Sequence, residues 1–274
     1  MKGQTLIDTA SYYESKNAGS VKNISNNEVC IIIHFISGPQ NDWKISKKKK
    51  ILKRDRKALN DLGEELAKYG IDFKFHLEVF NLKNDFKIDS VLDYKKPVEE
   101  NHYTKSNSFK KANATILWSK NIRSDLPFFK EKKYLGFEGG YLIVMYHEGL
   151  GISSASPAFF NGEEDRSIPE YITVFEFDQN WRKPNKYVTV HEMLHLFGAW
   201  DLYYNPLYGY EKEEYDLIKK KYPSTIMRSS KLITIDPLTA WRIGIDVPVE
   251  NWFLELIPRI YSKNHHENKV SDVQ

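Results

Sequence analysis

The strongest constraint on the fold of this chain lies in residues 187–203, which read YVTVHEMLHLFGAWDLY. Apolar residues recur there at helical spacing as far as Phe197. Gly198 follows at the position where a helix commonly ends in a left-handed residue. The segment therefore predicts a helix with an apolar side for packing, which closes in a sharp reversal of the chain.

Two histidines and two acids in this segment are spaced as metal-site residues are. His191 and His195 lie four positions apart, so both imidazoles can face one metal ion from the same side of the helix. Glu192 can reach a water held by that metal, and the reversal at Gly198 can bring Asp201 back as a third ligand. Two neutral nitrogens and one carboxylate leave a fourth position open on zinc, so the pattern predicts one catalytic Zn²⁺.

The specificity of this pattern rests on its length. At this chain's own residue frequencies, HExxH alone is expected by chance in about one of fifty such chains. Requiring Gly198 and Asp201 at their offsets lowers that expectation about three hundredfold. The alternative is an amphipathic helix with two solvent-facing histidines and no metal.

The sequence HEMLHLFGAWD resembles the extended zinc motif of the metzincin metallopeptidases, in the variant with aspartate as the third ligand. That variant is typical of the snapalysins. Metzincins also have a methionine turn beneath the zinc, and PSTIMRSS, with Met227, resembles that turn. The alternative for Met227 is a core methionine in a loop.

The resemblance implies a zinc-dependent endopeptidase. His191, His195 and Asp201 would bind the metal, Glu192 would act as general base and acid, and Met227 would support the site. The substrate would be a protein or a peptide. A different hypothesis is a catalytically silent binding module that keeps zinc as a structural element, although such a module has no need of Glu192.

The resemblance also implies an α+β, metzincin-like (zincin) fold, covering about residues 29–245. A helix would cross a twisted mixed sheet, followed by a substrate-binding edge strand, a last strand, the active-site helix and a C-terminal helical lobe. Residues 46–69, 151–160, 171–177 and 186–198 take the first four roles in that order. A C-terminal helix is expected at 237–244.

Apolar periodicity and capping residues predict the remaining elements. Further strands are expected at 29–36, 71–79, 112–118 and 140–147, and a further helix at 211–222. Ser46 and Asp236 are predicted as helix N-caps, and His76 is placed on a solvent-facing side of its strand. As domains, we expect a polar arm at 1–28, one metallopeptidase domain at 29–262 with lobes 29–198 and 199–262, and a polar tail at 263–274.

An electrophile for the oxyanion would complete the site. Four tyrosines close behind Asp201 are candidates, with aromatic packing as the alternative for each of them. They are Tyr203, Tyr204, Tyr208 and Tyr210. The run at residues 152–160 offers an edge for backbone pairing with an extended peptide, and an ordinary edge strand is the alternative.

Charge and cysteine content narrow the other function classes. Forty basic and 37 acidic residues give a net charge of +3, which is too small to indicate a nucleic-acid or membrane partner. Residues 44–57 hold nine basic residues and one acid, but no aromatic residues for stacking on bases. A solvated helix face is expected there, with a nucleic-acid-associated protein as the less favoured reading. We expect a monomer.

Cys30 is the single cysteine, so an intramolecular disulfide is excluded, and its apolar surroundings predict a buried thiol. The first thirty residues hold no apolar core of a signal peptide, which predicts a cytoplasmic protein, or a secreted one if an export signal was trimmed. No apolar run has the length that spans a bilayer.

Overall fold

In the computed structural model, a sheet and four helices make up a mixed α+β structure, as the sequence predicts. The structure describes residues 27–37, 42–79, 82–83, 86–87, 140–150, 153–156, 171–178, 180–204, 210–253 and 256. The strands are β1 (Glu28–Ser37), β2 (Lys74–Val79), β3 (Phe86–Lys87), β4 (Gly140–Leu150), β5 (Ser154–Ser156) and β6 (Tyr171–Phe177). The helices are α1 (Ile45–Ala67), α2 (Val188–Leu196), α3 (Lys212–Lys221) and α4 (Pro237–Arg242), followed by a 3₁₀ turn at Asn251–Phe253.

The described strands form one sheet in the order β2-β1-β4-β6-β5, with β3 also paired to β1. The strands β1, β2, β4 and β6 run parallel, and β5 runs antiparallel to β6. The centre of β1 is an uninterrupted apolar run because a strand between parallel neighbours is covered on both faces. The mixed sheet thus ends, within the described residues, in the short antiparallel strand β5 beside the last strand.

One face of the sheet packs against α1 and α2 in a single apolar core. Alternate residues Ile31, Ile33 and Phe35 of β1 point into it, as do Leu59 and Leu62 of α1. The strand period of two and the helical period of 3.6 both direct these side chains to the same layer. Contacts from α1, β5 and β6 onto α2 fix the position of the short helix that bears the two histidines.

Most predicted helices and strands among the described residues are confirmed to within a few residues. Of the two predicted N-caps, one is confirmed and one is wrong. Asp236 does cap α4, since its carboxylate accepts the backbone N–H of Thr239 at 2.9 Å. The prediction for Ser46 is wrong: α1 begins at Ile45, Lys44 is the N-cap, and no side chain caps it. Lys44 already has extended backbone there, which moves the start of the helix ahead of the serine. His76 is exposed, as predicted.

Some sequence predictions lie outside the described residues: nearly all of the arm at 1–28, the strand at 112–118, the tail at 263–274 and most of 151–160. The short strand β3 was not predicted. Cys30 is buried, as expected, and burial raises the pKa of its thiol to about 11. Among the described helices, none combines the length and the apolarity that crossing a membrane requires.

Candidate metal centre

The reversal after α2 is built on Gly198, whose φ of 97° lies where side-chain-bearing residues are strained. The N–H of Ala199 reaches back across it to the carbonyl of Leu194 at 3.0 Å, which is the closing bond of a Schellman turn. Beyond the turn, the N–H of Leu202 donates to the carbonyl of Met227 at 2.8 Å. These bonds hold Asp201 against the end of the helix that it follows.

The structure brings His191, His195 and Asp201 together. Oδ1 of Asp201 lies 3.1 Å from Nε2 of His191 and 3.3 Å from Nε2 of His195. The two imidazole rings are 5.0 Å apart at an interplanar angle of 89°. One ligand atom from each residue falls within 4.8 Å of the other two, so all three can reach a single ion. Among the described residues, this is the one group of three or more with that geometry.

Backbone carbonyls set the orientation of both imidazoles. Nδ1 of His191 lies 2.9 Å from the carbonyl oxygen of Ile226, and Nδ1 of His195 lies 2.8 Å from that of Ala199. A carbonyl only accepts, so each Nδ1 carries the proton, and in the neutral ring Nε2 then has a free lone pair. Both lone pairs point to the side of Asp201. This arrangement of outer hydrogen bonds is the one that metal-binding histidines usually have.

The side chains of His191, His195 and Asp201 satisfy a divalent metal ion better than they satisfy one another's hydrogen bonds. Oδ1 of Asp201 is a buried oxygen that accepts no hydrogen bond of acceptable geometry, although two imidazole nitrogens lie close to it. A buried carboxylate oxygen without a donor is costly, and a bound cation would remove that cost. Two imidazole nitrogens and a carboxylate oxygen are also the ligand types that zinc prefers.

Without a metal, the aspartate and the two imidazoles shift one another's pKa values towards their charged forms. Burial acts to lower the pKa of His195, but the combined effects of Asp201, Glu192 and the carbonyl of Ala199 outweigh it and raise the value to about 9. Burial acts to raise the pKa of Asp201, but the two imidazoles hold it well below its usual range. The pKa of Glu192 is raised, mainly because its carboxylate is withdrawn from water. Glu192 is thus a buried acid whose affinity for a proton is increased beside the ligands.

Met227 is fully buried in the turn that lies against the ligands. Its neighbour Ile226 provides the carbonyl that orients His191, and its own carbonyl holds Leu202 next to Asp201. The turn therefore contacts the site through the backbone carbonyls of Ile226 and Met227. Met227 belongs to the apolar core, as the alternative reading expects, and its support of a metal from below stays a prediction.

A cavity of about 550 Å³ opens beside Glu192. Tyr203 also lines it, so one of the four candidate tyrosines shares this cavity with Glu192. Tyr204 packs instead against Tyr215, with ring centroids 5.9 Å apart and the rings tilted, and Tyr210 is buried in the core. Tyr208 lies outside the described residues.

A buried polar network that sequence reasoning missed anchors the start of α2. The hydroxyl of Tyr146 lies 2.5 Å from Oδ2 of Asp55 and 2.6 Å from the hydroxyl of Thr189, and Nη2 of Arg54 donates to it at 2.7 Å. Thr189 stands two residues before His191. The partners come from α1, β4 and α2, so no local pattern in the sequence could have indicated the network.

Some basic side chains of the segment 44–57 are buried or paired within the protein. Lys48 is buried and donates to the carbonyl of Leu82 at 2.9 Å, Lys47 pairs with Glu176, and Arg54 joins the network above. The expectation of a solvated face is therefore wrong for Lys48 and in part for Arg54, because α1 crosses the sheet and buries part of its charged side. The other seven basic residues of the segment are exposed, as expected. His34 and His147 are buried and do not belong to the group of His191, His195 and Asp201.

Comparisons with models of protein families, with curated proteins and with solved structures give no match.

Proposed function

We propose that the protein is a zinc-dependent endopeptidase that works by metzincin-type chemistry. The observation that carries the proposal is the convergence of His191, His195 and Asp201 on one point, next to Glu192, whose buried carboxylate group belongs to the lining of an open cavity. A structural zinc site is closed by four protein ligands, whereas a catalytic site leaves one position for water or substrate. Three converging ligands beside a cavity match the second arrangement.

A zinc ion bound to these three atoms would make an attacking water more acidic and polarise the peptide carbonyl. The chain's own residues supply the rest. The carbonyls of Ile226 and Ala199 place the proton of each neutral imidazole on Nδ1, so that the lone pair on Nε2 is the one offered to a metal. Glu192 accepts the proton of the attacking water and delivers it to the leaving amine, a role for which its raised pKa is suited. Tyr203, at the wall of the same cavity, is the tyrosine best placed to donate to the oxyanion.

The order of elements supports this proposal. A helix, α1, packs across the sheet, the short edge strand β5 runs antiparallel to the last strand β6, and α2 follows. This is the sequence of parts that the metzincin resemblance implies. An extended peptide pairing with β5 would be directed along the cavity, because Ser153, directly before β5, lines that cavity together with Glu192.

The test is a pair of matched glutamate variants. Glu192→Gln keeps the size of the side chain and removes its proton-accepting oxygen, so hydrolysis of a peptide library should fall by about 10²–10⁴-fold while zinc stays bound. Glu213→Gln, at an exposed position in α3, should leave both zinc content and hydrolysis unchanged.

Retained turnover in Glu192→Gln would overturn the role assigned to this residue. A wild-type protein that binds zinc but cleaves no peptide would instead support the silent binding module. Asp201→Ala should weaken zinc binding, and an unchanged zinc affinity would mean that the third ligand lies elsewhere.

A further inference from the structure

The cavity beside Glu192 has walls of unlike chemistry. Val188 and Glu192 of α2 form one side, and Ser230 and Lys231, just beyond the methionine turn, form another. Residues between 178 and 185, in the turn after β6, form a third side, and Ser153, Phe175 and Tyr203 complete the lining. Since Glu192 acts on the bond being cleaved, a substrate side chain next to that bond enters this cavity.

The turn after β6 neutralises its own acid. The carboxylate of Asp178 accepts the N–H groups of Asn180 at 2.8 Å and Arg182 at 2.9 Å. Nε of Arg182 donates to the same carboxylate at 2.9 Å. These charge-assisted bonds hold the pKa of Asp178 below its ordinary value against the opposing effect of burial. Asp178 and Arg182 therefore form an ion pair that contributes no net charge to the cavity wall.

Two lysines of the cavity have no such partner. Lys183 and Lys231 are both exposed and both line the cavity, and within the described residues neither forms an ion pair. Glu192 is the other acid of the lining, and it is buried at the metal ligands. The cavity thus has an excess of positive charge. A lysine ammonium is a mobile point charge that suits a carboxylate arriving in several positions.

Resting on the proposed function, we infer that this cavity receives an acidic side chain, so that the enzyme cleaves peptide bonds next to Asp or Glu. The two ammonium groups contribute attraction that is absent for an uncharged residue of the same shape. A lysine side chain in the same place meets repulsion from Lys183 and Lys231, so discrimination has both an attractive and a repulsive part. The volume of about 550 Å³ leaves ample room for a glutamate side chain.

The experiment uses three peptides that are identical except for Glu, Gln or Lys beside the cleaved bond. Wild-type kcat/KM should be about tenfold higher for Glu than for Gln, which differ in charge but hardly in shape, and lowest for Lys. The Glu-to-Gln ratio should shrink in about 0.5 M salt, since exposed charges are screened there. Binding of the Glu and Gln peptides to the Glu192→Gln variant, measured by fluorescence anisotropy, should show the same preference without turnover.

Charge reversal identifies the residues responsible. Lys231→Glu and Lys183→Glu should each reduce the preference for the Glu peptide, and the double variant should favour the Lys peptide. Lys220→Glu, at an exposed position on α3 outside the cavity, is the matched control and should keep the wild-type order. Equal cleavage of the Glu and Gln peptides, or a preference unaffected by both reversals, would overturn the inference and leave the peptidase proposal intact. Cleavage of none of the three peptides would overturn both.

Discussion

Replacing Gly198 by alanine should destabilise the protein by about 2 kcal/mol, because two separate costs meet at this position. With φ at 97°, a residue with a Cβ is strained by roughly 1–2 kcal/mol. The added Cβ would also lie 3.1 Å from the carbonyl oxygen of Arg242, so the end of α4 has to move by a few tenths of an ångström. Such overpacking costs about 1–3 kcal/mol, against which the stiffer unfolded chain returns about 0.4–1 kcal/mol.

Two other glycines separate these costs. Gly70 has φ of 75° but nothing within 4 Å of an added Cβ, so Gly70→Ala carries the strain alone and should cost about 1 kcal/mol or less. Gly63 lies inside α1, where an added Cβ would meet its nearest atom at 3.5 Å. Gly63→Ala should therefore stabilise the helix by about 0.5–1 kcal/mol.

The free energy of unfolding of the three variants and the wild type is measured by urea denaturation with a common slope. The predicted order of stability is Gly63→Ala, wild type, Gly70→Ala and Gly198→Ala. A Gly198→Ala protein as stable as the wild type would refute both the left-handed backbone at Gly198 and its close contact with Arg242. If Gly70→Ala and Gly198→Ala lower the free energy of unfolding equally, the close contact of Gly198 with the end of α4 is refuted, and backbone strain alone explains the loss.

Two further predictions concern buried polar groups. His34 is buried, and burial lowers its pKa from 6.5 to about 4, so the unfolded chain gains a proton before the folded protein does. The contribution of neutral His34 to the free energy of unfolding is intact above pH 6.5, and about 3 kcal/mol of it is lost as the pH falls from 6.5 to 4. His34→Leu should flatten that part of the stability-versus-pH curve. An unchanged slope would exclude the histidine as its cause. Tyr146→Phe removes the hydroxyl that joins Asp55 to Thr189 and should cost about 1–3 kcal/mol in the free energy of unfolding. An unchanged value in urea denaturation would mean that the network does not anchor α2.

The features of the site that could be predicted from sequence are those set by the spacing of neighbouring residues. His191 and His195 share a helix face because they are four residues apart, and Gly198 marks the reversal because few other residues accept its φ. The return of Asp201 to the histidines follows from that reversal. Each of these features depends on fewer than a dozen consecutive residues.

The remaining features depend on residues that are far apart in the chain. The carbonyl of Ile226 orients His191 across 35 positions, and Tyr146 reaches Asp55 across 91. Tertiary packing also decided which tyrosine faces the cavity: Tyr203 and Tyr204 are neighbours of identical type, and only the first lines it. Spacing along the sequence contains no information about such contacts.

The same limit explains the errors. Ser46 has the right chemistry for an N-cap, but α1 begins one residue before it, so its hydroxyl is already inside the first turn. Lysine is usually a solvent-facing residue, but α1 crosses the sheet in a way that buries Lys48. The ammonium group of Lys48 donates a hydrogen bond to the carbonyl of Leu82 instead.

Metal content tests the central claim most directly. The protein is purified without chelators, and zinc is counted per chain by plasma mass spectrometry, beside His191→Ala and an exposed-histidine control, His76→Ala. We predict about one zinc per chain in the wild type and in His76→Ala, and loss of the metal in His191→Ala. A wild type that holds no zinc, even after zinc is added, would contradict the metal centre and the peptidase built on it.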